Sequence, residues 1–219
     1  MNNQRECVMA WSEEKNRLVR PVTNFTTNSW DYGSFTVGLT YEFKILHWNP
    51  ESAHPHKSED ILVEEPAIPR DDQRLNESAM YEMLVHSSKT SVTDIFRSDA
   101  IKDKKYIDES TECPSAGVLR CEVSNIKIQN KYNFKGELQY RCEIFQDYDF
   151  SLTAQNRDSL EENLADCEPE NRILVLLGLA RPFSGTGNNN FQPRRCYIMV
   201  TGIIRAAQEQ ANESQPEDS

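Results

Sequence analysis

Residues 171–205 carry five arginines (Arg172, Arg181, Arg194, Arg195, Arg205) and no Asp or Glu, a charge of +5 inside a chain of formal charge −11. Within this stretch the loop 181–195 has Arg181 at one end and Arg194 and Arg195 at the other, with Phe183 and Phe191 between them. Guanidinium groups neutralise phosphates and aromatic rings stack bases, so these residue types suit single-stranded DNA or RNA, or a nucleotide-like ligand. Gly185, Gly187 and Asn188, Asn189 and Asn190 would let the backbone approach such a ligand closely. Arg141, on the polar parity of an alternating segment, extends the same surface. The nucleic-acid-binding candidates are therefore Arg141, Arg181, Phe183, Phe191, Arg194 and Arg195. The plainer alternative is a surface loop whose arginines pair with the acidic helix at residues 161–170.

A second candidate ligand surface consists of Trp11, Arg17 and Arg20, with Trp30, Tyr32 and Phe35 nearby in sequence. Its structural alternative is a set of side chains that plug a small barrel. His54 and His56, two apart beside Glu59 and Asp60, have the spacing of a metal pair but no identifiable third and fourth ligands. Pro55 and the Ser-Glu-Asp cluster fit a capped turn better. No phosphate loop, zinc-protease helix, nucleophile elbow or dinucleotide fingerprint occurs, and no nucleophile–base pair stands out. The expectation is a non-enzymatic protein with no cofactor and no metal.

The elements that must position these residues are mostly strands. Residues 118–128 are strand-like, but the apolar parity switches from odd (Leu119, Cys121, Val123) to even (Ile126, Ile128). A bulge or bend near Ser124 and Asn125 is required. Residues 138–144 and 147–152 alternate cleanly. Ser159 and Glu162 then form a capping-box pattern ahead of Leu160 and Leu164, a short helix. Residues 173–179 are a continuous apolar run suited to a buried strand, and 195–204 form the last strand. A long bent strand, two strands, a helix and two strands is the element order of an OB-fold, whose last interstrand loop (here 181–194) clasps oligonucleotides.

The first half also reads as β. Residues 6–11 and 18–23 flank a polar turn, 35–48 is long and aromatic-rich with Gly38 at a turn, and 61–63 is a short strand. The fold class is thus mainly β: two small OB-like Greek-key barrels joined by a helical connection. The divisions are an N-terminal barrel over 1–65, a connection over 66–112 with helices at 73–86 and 92–96, a C-terminal OB-fold over 113–205, and a disordered acidic tail over 206–219.

Composition narrows the classes. Apolar residues make up 37% of the 219, mean hydropathy is −0.70, and no run approaches the ~18 apolar residues of a membrane helix. The opening residues lack an apolar signal region and the six cysteines form no CxxC motif, so a reduced, cytoplasmic protein is expected. A charge of −11 slows encounter with a polyanion. It supports an alternative in which the chain is an acidic protein-interaction subunit, an adaptor or inhibitor that does not bind nucleic acid.

Several ordered stretches carry a resemblance. Arg17-Leu18-Val19-Arg20-Pro21-Val22 is similar to a W-I-R-P-V-like run, and His54-Pro55-His56-Lys57-Ser58-Glu59-Asp60 to an H-P-x-x-x-E-N/D element. Tyr148-Asp149-Phe150-Ser151-Leu152-Thr153 is similar to Y-D-L-x-V-T, and the stretch from Leu176 through Gly178 to Arg181-Pro182-Phe183 to S-L-G-E-P-F, ahead of a strand ending Gly202-Ile203-Ile204. Together they resemble the bacterial dual-OB-containing domain, two successive OB-folds found in defence-related neighbourhoods. The chain departs from that pattern in two places. Arg181 stands where the family has an acid, and little chain precedes Cys7-Val8-Met9-Ala10, so the first barrel is expected to lack a leading strand. The resemblance implies nucleic-acid binding by fold analogy, within a larger defence-type system.

Overall fold

A computed structural model describes residues 5–6, 8–23, 30–31, 33–48, 54–132, 136–153, 160–161, 164–185 and 191–206. Gly187, Asn188 to Asn190, Tyr32, Cys7, the Ser159 and Glu162 capping pair, and the tail beyond Ala206 lie outside these residues. The chain is mainly β. Among the described residues no helix is long and apolar enough to cross a membrane.

The first half pairs two short strands, β1 (Arg5–Glu6) and β4 (Trp30–Asp31). It also builds a four-stranded sheet from β2 (Ala10–Ser12), β3 (Arg17–Val22), β5 (Thr40–Trp48) and β6 (Asp60–Arg70). The order is β2-β3-β6-β5, with β3 and β6 parallel over Arg20–Asp60 to Val22–Leu62. Among the described residues this sheet stays open and does not close into a barrel. Its core stacks Trp30, Phe35, Tyr41 and Phe43, with Trp30 and Phe35 edge-to-face at 4.8 Å. Strand β6 runs to Arg70, past the expected boundary at 65. Pro66 and Pro69 are tolerated there because β6 leaves β3 after Leu62 and continues as an edge beside β5.

Between the halves, α1 (Glu77–Val85) starts at Asn76, whose side chain accepts the Ala79 N–H at 2.8 Å. The second helix, α2 (Val92–Phe96), is capped by Ser91, which accepts from Thr93 and Asp94. The connection is not only helical. A hairpin of β7 (Ile101–Lys102) and β8 (Tyr106–Asp108) turns through Asp103 and Lys104, both at positive φ, and β8 joins the second sheet.

The second half is one curled sheet of β9 (Ala116–Glu122), β10 (Ile126–Tyr132), β11 (Leu138–Ile144), β12 (Tyr148–Leu152), β13 (Arg172–Leu179) and β14 (Arg195–Arg205). The parity switch is realised as a 3-10 turn over Val123–Asn125 separating β9 from β10. Sheet order is β10-β11-β12-β14-β13-β9, so its two ends are consecutive parts of one bent run. β12 and β14 run parallel, while the other pairs along that order are antiparallel. The pairings β11-β12-β14-β13 repeat the pattern of β2-β3-β6-β5: a hairpin, a parallel neighbour and an antiparallel one.

Inward residues such as Cys142, Ile144, Phe150, Leu177 and Ile198 form one core with Leu160 and Leu164. Each such large aliphatic or aromatic side chain contributes about 1.5–3 kcal/mol. Strand β13 is apolar on both faces because Leu174 packs outward on Tyr81 and Leu84 of α1.

Candidate functional site

The loop after β13 returns to β14 through a bridge in which Phe183 and Arg195 exchange N–H···O bonds of 2.9 and 3.0 Å. Gly185 takes φ +95°, a conformation that favours glycine, and the Phe191 N–H closes the described part of the loop onto Ser184 O at 2.6 Å. These constraints aim the side chain of Arg195 between two rings. Its guanidinium carbon lies 3.7 Å from the Phe191 centroid and 4.3 Å from that of Tyr106. Phe183 leans on Phe191 at 6.4 Å, and Tyr106 on Tyr197 at 5.8 Å. Pairing of β8 with β14 puts Tyr106 in this row, and burial pushes its phenol above the ordinary range. The result is a continuous patch of four rings and one cation. Phe183, 43% exposed, is its open face. Such a patch can stack a planar base and hold a positive charge beside it.

Arg194 points elsewhere, to the carboxylate of Glu109, with Nε at 2.7 Å from Oε2. Arg205 pairs with Glu77 of α1 at 2.9 Å. Arg181 pairs with Asp60 at 2.9 Å. All three acids lie outside residues 161–170, so three of the five arginines are paired with partners that sequence proximity does not suggest.

Arg141 lies on the outer face of the second sheet, in register with Gln129 and Ser151. It is held there by Asp149 at 3.0 Å and Ser151 Oγ at 2.8 Å. Burial pushes the Asp149 carboxyl up, but the bond and charge of Arg141, with Lys131, bring it below the ordinary range. The β10–β11 hairpin runs past the core, so that Tyr132 and Leu138, a facing pair on the inner parity of Ile128 and Cys142, are 75% and 45% exposed. Residues 126–141 hold Lys127, Lys131, Lys135 and Arg141 against Glu137 alone, a second positive island of +3. Reading the motifs missed it, although a running charge count finds it.

The second candidate surface is not assembled as an open one. Arg20 is only 4% exposed and is committed to Asp60 and to Leu179 O. Trp11 packs with Tyr81, Leu84 and the outer face of the second sheet, while Arg17 is half-buried at the start of β3. Together with Arg181, Arg20 belongs to a polar junction between the halves. Asp60, fully buried, accepts from Arg20 Nε and Nη2 at 3.0 and 2.8 Å and from Arg181. Glu59 accepts the Ser115 N–H and O–H at 3.0 and 2.7 Å.

His56, in a 3-10 turn over His56–Ser58, meets Ala180 O through Nε2 at 3.1 Å. Burial, and then the charges of Arg20 and Arg181, lower its pKa to about 2. A neutral imidazole donating to Ala180 O fits that setting. Among the described residues no group of three or more His, Cys, Asp and Glu is placed to hold a metal ion. A cleft of about 290 Å³ beside α1 is lined by Arg172, Arg205, Glu77 and Asp166, a balanced set of charges. Comparison with protein-family models, curated proteins and solved structures returns no match.

Proposed function

We propose that the chain is a non-enzymatic binding module for single-stranded DNA or RNA, or a nucleotide-like ligand, with its principal contact at Phe183, Phe191, Arg195 and Tyr106. The single observation that carries this reading is the Arg195 guanidinium stacked between Tyr106 and Phe191 beside the open ring of Phe183. An exposed ring beside a fixed cation suits unpaired bases better than a duplex, whose bases are already stacked. The outer face through Arg141 toward Lys131 is the path by which a strand would leave the patch.

The second half is read as an OB-fold, supported by its strand order, its parallel β12–β14 pair and the bent β9–β10 run. The first half is read as an OB-like sheet, since it repeats three of those pairings. This pair of related sheets supports the dual-OB resemblance and, with it, a role inside a larger bacterial defence-type system in the cytoplasm.

A second reading, an acidic interaction subunit with a protein partner, is favoured by one observation. Arg181, Arg194 and Arg205 are each already paired with a carboxylate. The two readings separate by fluorescence anisotropy with labelled single-stranded DNA, single-stranded RNA and duplex at two salt concentrations. Salt-sensitive binding of the single strands over the duplex supports the first. No binding at tens of micromolar protein and low salt supports the second.

A further inference from the structure

The 181–194 loop is anchored at its two ends by different parts of the molecule. Its C-terminal stem is held by the connecting segment: Glu109 N–H donates to Arg194 O at 2.7 Å, the Glu109 carboxylate takes the Arg194 guanidinium, and Tyr106 lies under Arg195. Its N-terminal stem is held by the first sheet. Three consecutive residues, Leu179, Ala180 and Arg181, are each gripped from there, by Arg20, His56 and Asp60 in turn.

We propose that Asp60 is a positioning residue for the N-terminal stem of this loop, residues 179–183, so that the first half acts on the aromatic–arginine patch by fixing Phe183. The inference rests on the binding reading above only for its functional consequence; the positioning itself is a separate claim.

Asp60 opens β6 and faces Arg20 across the parallel pair, so its carboxylate is fixed at the strand junction of the first sheet. Oδ1 takes two N–H groups of Arg20, which leaves Oδ2 to reach across to Arg181. A carboxylate with no exposure is held at both oxygens, and moving it would strand two guanidiniums in a poorly solvated place. Neutral His56 keeps a third positive charge out of this cluster. Arg181 therefore spends its charge on Asp60, and its service to the patch is to place Phe183 two residues on. The phosphate-binding role then falls to Arg195.

The test compares Asp60→Asn with Arg181→Gln, which leaves the Arg20–Asp60 pair in place should Asp60→Asn fail to fold. Ser115→Ala is the control: it removes the hydroxyl bond to Glu59 at the same junction while the backbone bonds of Ser115, to Glu59 and from the Leu179 N–H, stay in place. Hydrogen exchange is read at the Phe183, Phe191 and Arg195 amides, and anisotropy is read with a labelled single-stranded oligonucleotide across a salt series. Exchange at these amides is expected to quicken by about tenfold or more in Arg181→Gln and not in Ser115→Ala. Binding is expected to weaken several-fold with the salt slope unchanged.

Unchanged exchange in Arg181→Gln overturns the proposal, as does equal quickening in Ser115→Ala. A slope reduced by about 0.7, the value of one lost single-strand phosphate contact, also overturns it by making Arg181 a direct contact. If the unaltered protein binds no oligonucleotide, the functional reading fails while the exchange result still decides the positioning.

Discussion

His56 sets a pH dependence of stability that can be worked out in advance. His56 is buried, its Nε2 is engaged with Ala180 O, and Arg20 and Arg181 face it. The folded chain therefore resists protonating it down to about pH 2, whereas the unfolded chain takes up the proton near 6.5. Between those values the unfolded state binds more protons, so stability falls as pH falls. This contribution is fully present above 6.5 and is lost progressively toward 2. With 1.36 kcal/mol per unit, the loss attributable to His56 is about 2 kcal/mol at pH 5 and about 3.4 kcal/mol at pH 4.

His56→Gln keeps an amide N–H for Ala180 O and cannot titrate in this range. Urea midpoints of both proteins from pH 7.5 to 4 isolate the effect, since every other titrating group is shared. The unaltered protein should lose about 1 M more in midpoint than the variant between pH 7 and 5, taking a slope near 2 kcal/mol per M for a chain of this size. Parallel curves would refute the reasoning, for they would mean that His56 protonates in the folded protein.

Two further outcomes concern packing and thiols. A Cβ on Gly117 would collide with Cγ2 of Ile95, a buried residue of α2, so Gly117→Ala should cost about 1–3 kcal/mol and lower the melting temperature by about 2–12 °C in a thermal scan. Burial pushes the thiols of Cys121, Cys142 and Cys196 up to about 12 and that of Cys113 to about 11. At pH 7 a maleimide followed by peptide mapping should modify half-buried Cys167 in the folded protein and reach those four only in urea; native labelling of Cys142 would contradict the packing described.

Strands β11 and β12 were legible because one face of each is buried, which prints period 2 on residues 138–144 and 148–152. The bend at Val123–Asn125 was legible for the same reason, through the change of parity it forces. Strand β8 was not. Tyr106, Ile107 and Asp108 are too few to show a period, and Tyr106 enters the site only because β14 supplies a backbone partner for the triplet. The end of β6 was hidden by Pro66 and Pro69, since edge and interior strands cannot be told apart before pairing is known.

Of the candidate site, sequence gave the residue types of Phe183, Phe191 and Arg195 but not their stacking. It could not distinguish these from Arg181 and Arg20. Both are arginines beside prolines, and their pairing with Asp60 spans sequence separations of 121 and 40. The segment around His54 and His56 read as a turn, which it is, yet its role as the grip on the second half depends on contacts no local pattern encodes.

The most direct test of the binding claim compares the unaltered protein with Phe183→Ala and Arg195→Ala by anisotropy on labelled single-stranded DNA and RNA, after thermal scans show all three folded. Stacking of one base is worth about 1–3 kcal/mol, so Phe183→Ala should weaken binding by about fivefold to a hundredfold with its salt slope intact. Arg195→Ala should weaken binding and also flatten the slope by about 0.7. Equal affinity of all three for single strands would contradict the account, since the aromatic–arginine patch would then take no part in binding.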